Sequence, residues 1–184
     1  DFILNREPGA VVVNDDTMPV LRYQMQRPGD SKLSVESACN FHPFTTPSGI
    51  AITDVAPSDH LHHRGIFLAW VEMHGSKDAD FWGWGEHAPK KDRLTVNPVL
   101  DLAAPGATTA GFRARNEWLA EGTVVMKETL ATKFTRQSNA HILDLSYTLT
   151  PVADTTLARW AFSGFCVRTR KDGKLQAYGP DGVV

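Results

Sequence analysis

The sequence predicts a mainly-β domain folded as an antiparallel β-sandwich, and three observations predict it. Apolar and polar residues alternate with a period of two along much of the chain, polar turns recur between the alternating runs, and no stretch gives a convincing amphipathic helix. Many strands at such spacing bury their apolar faces by packing as two sheets or closing into a barrel.

The elements follow in order. Val11-Val12-Val13 is a β-branched run, and a second strand over residues 18–25 is closed by the turn residues Arg27-Pro28-Gly29-Asp30. Residues 40–49 hold two prolines and a glycine, which predicts a rigid loop around His42. Residues 65–73 read as a strand; neither 79–87, too rich in Gly and Trp, nor 100–107, broken by Pro105-Gly106, makes an amphipathic helix. Residues 108–121, carrying Phe112 and Trp118, form another strand. Residues 122–134 and 140–150 then pair as a hairpin across the polar turn Arg136-Gln137-Ser138-Asn139. Within 140–150, Leu143, Leu145, Tyr147 and Leu149 share one face, with Ile142, Asp144, Ser146 and Thr148 on the other, and Pro151 ends the run. Residues 160–168 give a late strand, Lys171-Asp172-Gly173-Lys174 a tight turn, and residues 178–184 the start of a further strand.

Composition sets the limits. A chain of 184 residues with 42% hydrophobic residues suits a single domain, and no repeat or linker divides residues 1–184. Nineteen basic against 21 acidic residues give a net charge of −2, and no basic face or basic-aromatic stripe argues for nucleic acid. No apolar run approaches the roughly 20 residues that span a bilayer. The start at Asp1 matches a removed signal peptide as well as a cut start, so cytoplasm and periplasm or exterior both stay open. Cys39 and Cys166 lie far apart without metal-ligand spacing.

The chemistry concentrates between His42 and His87, which hold six of the seven histidines. The densest part is Asp59-His60-Leu61-His62-His63-Arg64-Gly65. If extended, it sets His60 and His62 on one face, with Asp59, Leu61 and His63 on the other. His60 and His62 are then candidate ligands for a divalent metal, with Asp59 or Glu72 completing the set. The same imidazoles also suit acid/base work or contact with substrate, and hydrogen-bonding posts for a turn are the third reading. Downstream, Asp80-Phe81-Trp82-Gly83-Trp84-Gly85-Glu86-His87 sets aromatics beside glycines. That pattern suits either stacking against a sugar ring or plugging the end of a sandwich.

The ordered set His42-Pro43-Phe44-Thr45-Thr46-Pro47-Ser48-Gly49, Asp59-His60-Leu61-His62-His63-Arg64-Gly65 and Asp80-Phe81-Trp82-Gly83 resembles the DUF6807 family of bacterial proteins, which also circulates under a methane oxygenase PmoA label. The resemblance covers most of the chain. It implies a β-sandwich like the galactose-mutarotase supersandwich, the company of carbohydrate-utilisation genes, and a family domain longer than this chain with a further His-containing region. The methane-oxygenase label fits poorly, because no apolar span or strong copper-ligand set is present.

The resulting expectation is a carbohydrate-active protein. His62 and His63 are the candidate acid/base groups with Glu72 as partner, and His42, Arg64, Trp82 and Trp84 are the candidate sugar contacts. A non-catalytic carbohydrate-binding module and a metal-clipped structural domain are the alternatives. No Gly-x-Ser-x-Gly elbow marks a hydrolase triad. Substrate, reaction and oligomeric state are not legible.

Overall fold

A computed structural model describes residues 1–173, 176 and 178–183. Among these the chain is all β, without a helix. Its strands are β1 (Phe2–Glu7), β2 (Ala10–Asp15), β3 (Met18–Gln24), β4 (Asn40–Phe44), β5 (Ile66–Ala69), β6 (Met73–His74), β7 (Arg93–Leu102), β8 (Thr109–Ala110), β9 (Phe112–Ala120), β10 (Thr123–Arg136), β11 (His141–Pro151), β12 (Thr156–Leu157), β13 (Gly164–Val167), β14 (Tyr178–Gly179) and β15 (Gly182–Val183). One sheet runs β1-β2-β3-β4-β5-β13. The second runs β11-β10-β9-β7, with β8 also on β10. All pairings are antiparallel, as consecutive hairpins require.

The core lies between the two sheets, as a sandwich demands. Val11, Leu21, Tyr23 and Phe41 of the first sheet pack with Phe112, Leu130 and Phe134 of the second. At the other end Phe67, Phe81 and Trp82 pack with Trp118 and Met126. The predicted faces of β11 hold: Leu143, Leu145 and Tyr147 pack against the first cluster and Leu149 against the second, while Asp144, Ser146 and Thr148 are exposed.

Several local expectations are corrected. His42 lies within β4 rather than in a loop, and its peptide bond to Pro43 is cis. Pro43 is tolerated there because it falls in the β3–β4 bulge, between Tyr23↔Phe41 and Leu21↔Phe44, and β4 meets β5 only at Phe41↔Ile66. The run 65–73 divides into β5 and β6, and at the break the Trp70 carbonyl accepts the N–H groups of Phe81 and Trp82. The run 160–168 is a strand only from Gly164. β7 escapes the alternation because a bulge between Val96 and Val99 interrupts its period, and the Asn97 side chain fills the gap by donating to the Val99 carbonyl and Asn116 Oδ1. The predicted turn at 171–174 ends on Lys174, which lies outside the described residues.

A polar chain crosses the core. Glu128 is 4% exposed, accepting Asn116 Nδ2 at 2.7 Å and Trp118 Nε1 at 2.9 Å, while the same Asn116 nitrogen reaches Tyr23 Oη at 2.9 Å. Burial raises the Glu128 carboxyl above the usual carboxylate range. Both of its oxygens must accept, so Glu128→Gln turns an amide N–H₂ toward an N–H donor. We expect this substitution to cost about 1–3 kcal/mol of unfolding free energy by urea titration.

Candidate functional site

Three segments distant in sequence build one cleft of about 500 Å³. The first wall is the histidine segment, which is turned rather than extended. The His60 N–H donates to the Pro57 carbonyl at 2.9 Å, and the His63 N–H to the His60 carbonyl at 3.0 Å. Pro57-Ser58-Asp59 supplies the turn chemistry. The Ala56 N–H to the His63 carbonyl (2.8 Å) and the Val55↔Arg64 bridge close the base of the loop. An extended run would have put His63 on the face opposite His60 and His62. The turns instead gather all three rings: His60 stacks on His63 with centroids 4.6 Å apart, His62 meets His63 edge-on at 4.6 Å, and His60 and His62 are 5.7 Å apart. All three line the cleft.

The second wall is the aromatic-glycine segment. The buried carboxylate of Asp80 accepts the N–H of Gly83 at 2.7 Å and that of Gly85, which curls the chain around it. Trp82 is almost fully buried yet faces the cleft, 6.2 Å from His62 and 6.0 Å from His63, whereas Trp84 is 42% exposed. Gly83 has φ +101°, and a Cβ there would meet Val35 Cγ1 at 2.1 Å and press on His62 Cβ at 3.2 Å. Any side chain at this position would push the two walls apart.

The third wall comes from residues 161–167. Phe162 meets Trp84 edge-on at 4.5 Å, and Phe165 and Val167 of β13 are 56% and 47% exposed. Cys166 lines the cleft as well, half-buried with a free thiol, and Cys39 is free and buried. This wall was not found from sequence, though apolar residues two apart on a strand that leave Phe165 in solvent are a signal of contact yet to be made.

Charge is organised at the rim. Asp59 accepts Arg168 Nη2 at 2.9 Å and Lys171 Nζ, and lies 3.0 Å from His60 Nδ1. These partners, Lys171 and His60 foremost, hold its carboxyl well below the ordinary range. Arg168 also places Nη1 3.3 Å from His63 Nδ1. Burial, reinforced by the neighbouring imidazoles and by Arg64, lowers His62 to about 4, and burial with His60 and Arg168 lowers His63 to about 4. Both are neutral at physiological pH.

The other expected site residues lie elsewhere. Arg64 is 1% exposed and sits behind the histidine wall. It donates to the His62 carbonyl (3.2 Å) and the Phe81 carbonyl (3.0 Å), with its guanidinium 4.2 Å over Phe67. Its hydrogen bonds run to backbone, and it is off the cleft lining. His42 is off the cleft lining, with Nδ1 3.0 Å from Thr53 Oγ1. Glu72 is also off the lining. Its two oxygens contact His74 Nε2 and Trp160 Nε1, each at 2.7 Å, at the small β6–β12 sheet. Among the described residues, no group of three or more His, Cys, Asp or Glu side chains is placed to hold a metal ion, and the rings of the two candidate ligands, His60 and His62, have centroids 5.7 Å apart.

Two outcomes follow. The folded state holds His62 and His63 neutral, whereas an unfolded histidine takes up a proton near pH 6.5. Their contribution to stability is complete above about pH 6.5 and is lost as pH falls toward about 4. The change in urea midpoint between these pH values should be smaller in His62→Gln/His63→Gln than in the parent. Gly83→Ala should lower stability by at least ~2 kcal/mol in the same assay, from backbone strain and the clash with Val35.

No helix among the described residues is long and apolar enough to cross a membrane. No curated protein and no solved structure matches the chain. The model of a family of unknown function, DUF6807, matches residues 10–181, and the chain belongs to that family.

Proposed function

We propose that the cleft binds a carbohydrate or sugar derivative and processes it by acid/base chemistry. The observation that carries this reading is the gathering of three imidazoles on one wall of a cleft whose other walls carry the buried Trp82 and the exposed Trp84, Phe162 and Phe165. Sugar rings present apolar C–H faces that stack on Trp and Phe, and hydroxyl groups that exchange hydrogen bonds with neutral imidazoles. A volume of about 500 Å³ accommodates one or two pyranose rings. Imidazoles held neutral at pH 7 retain a lone pair for proton abstraction and an N–H for donation, the two roles a proton-transfer reaction on a sugar needs.

A panel of neutral monosaccharides, disaccharides and keto-sugars tests the reading by NMR-detected binding and product analysis. Trp84→Ala should weaken binding roughly three- to tenfold, the worth of one aromatic stack, without a comparable loss of stability. His62→Ala and His63→Ala should abolish turnover while leaving the ring-stacking contribution in place. Absence of binding across the panel, or binding that Trp84→Ala leaves unchanged, defeats the proposal. Binding without turnover reduces the protein to a recognition module.

A further inference from the structure

We infer that His60 is the proton acceptor of the cleft, positioned by Asp59, and that Arg168 fixes the adjacent His63 as a hydrogen-bond donor. This rests on the acid/base reading above, but its first consequence is a pair of tautomers that needs no ligand to observe.

An ionised carboxylate repels a lone pair, so the 3.0 Å approach of Asp59 Oδ2 favours the tautomer with the His60 hydrogen on Nδ1. That tautomer leaves the lone pair on Nε2. A guanidinium only donates, so His63 Nδ1, 3.3 Å from Arg168 Nη1, presents its lone pair there and carries its hydrogen on Nε2. Among the described residues neither Nε2 atom has a hydrogen-bond partner. The two rings are stacked, 20° from parallel with centroids 4.6 Å apart, and both line the cleft. Two imidazoles of identical chemistry are thereby made opposite, one an acceptor and the other a donor.

The asymmetry also sets which ring can take a proton. Protonation of His60 on Nε2 keeps the Nδ1–H facing Asp59 and pairs the new imidazolium with a carboxylate. Protonation of His63 would place a hydrogen on Nδ1 against the Arg168 guanidinium, losing that hydrogen bond and setting two cations together. In the step that follows, a ligand hydroxyl gives its proton to His60 Nε2. The electron pair of the broken O–H bond stays on oxygen, and the His63 Nε2–H stabilises the developing charge without itself being transferred. The ligand class is a sugar carrying a hydroxyl beside, or in exchange with, an acceptor oxygen such as a carbonyl or ring oxygen.

The imidazole nitrogens of uniformly ¹⁵N-labelled protein report the tautomers directly in long-range ¹H–¹⁵N spectra at about pH 8, with signals assigned by His60→Gln and His63→Gln. We expect His60 protonated on Nδ1 and His63 on Nε2. Arg168→Met should let His63 shift toward the Nδ1–H form, whereas Arg168→Lys, still a pure donor, should keep the parent tautomer. Asp59→Ala should release His60 in the same way. His60 found as the Nε2–H form, His63 as the Nδ1–H form, or an unchanged His63 in folded Arg168→Met would overturn the assignment. Should Arg168→Met not fold, the parent spectrum and Arg168→Lys decide alone. Failure of every sugar to bind would sink the carbohydrate reading and leave these tautomers standing.

Discussion

The guanidinium of Arg64 is the interaction on which the site depends. It lies buried at the junction of the histidine loop and the aromatic loop, with one hydrogen bond to the His62 carbonyl and one to the Phe81 carbonyl. A buried cation is costly unless its donors are occupied and its charge is compensated. Here two carbonyl oxygens take Nη1 and Nη2, the ring of Phe67 covers the guanidinium face and nearby Asp80 contributes compensating charge, while Nε is left without a hydrogen-bond partner. Asp80 in turn curls residues 80–85 through backbone N–H groups. Two adjacent walls of the cleft are thus tied through one side chain and its partner. Lysine could not reproduce the arrangement, since it lacks the planar fork that reaches two carbonyls while stacking on a ring.

The division of roles among the charged residues follows from depth. Arg64 is fully enclosed and structural. Arg168, 9% exposed, sits at the boundary, where it touches both Asp59 and His63 and so connects scaffold to cleft. Lys171 is at the outer rim on the same carboxylate. The acidic partner common to the last two is Asp59, the residue that also faces His60. Charge at the mouth of the cleft is therefore satisfied internally, and the groups left for a ligand are imidazole nitrogens and aromatic faces.

The fold was legible because its signals are local. Alternation in 140–150 identified both faces of β11, and the polar residues at 136–139 identified the hairpin that β10 and β11 form. Strand ends and interruptions were less legible: β7 is masked by its bulge, and β4 by prolines that a loop would carry equally well. Of the site, the local clusters were readable, namely His60, His62 and His63 with Trp82 and Trp84. Their conformation was not, because alternation places side chains only if the segment is extended, and Pro57-Ser58-Asp59 turns it instead. Arg168 and Phe162 could not be read at all. The place of Phe162 in the cleft lining, and of Arg168 beside Asp59 and His63, depends on β13 joining β5, a pairing that no local pattern encodes. Arg64 and Glu72 show the converse, in which a residue of suitable chemistry near the motif lies off the cleft lining with its hydrogen bonds made to other groups.

The pairing of β13 with β5 has a kinetic consequence. The contacts that complete the cleft join residues more than a hundred positions apart: 105 for His63 with Arg168, 109 for Asp59 with Arg168 and 112 for Asp59 with Lys171. The intervening chain includes the whole second sheet. Loop-closure entropy of that size is met late in folding, and topologies dominated by such contacts fold slowly. The histidine loop can close on its own local bonds early, but it acquires Arg168 and the third wall only when the sandwich is essentially complete. Competence of the site is for that reason an all-or-none reporter of the folded chain.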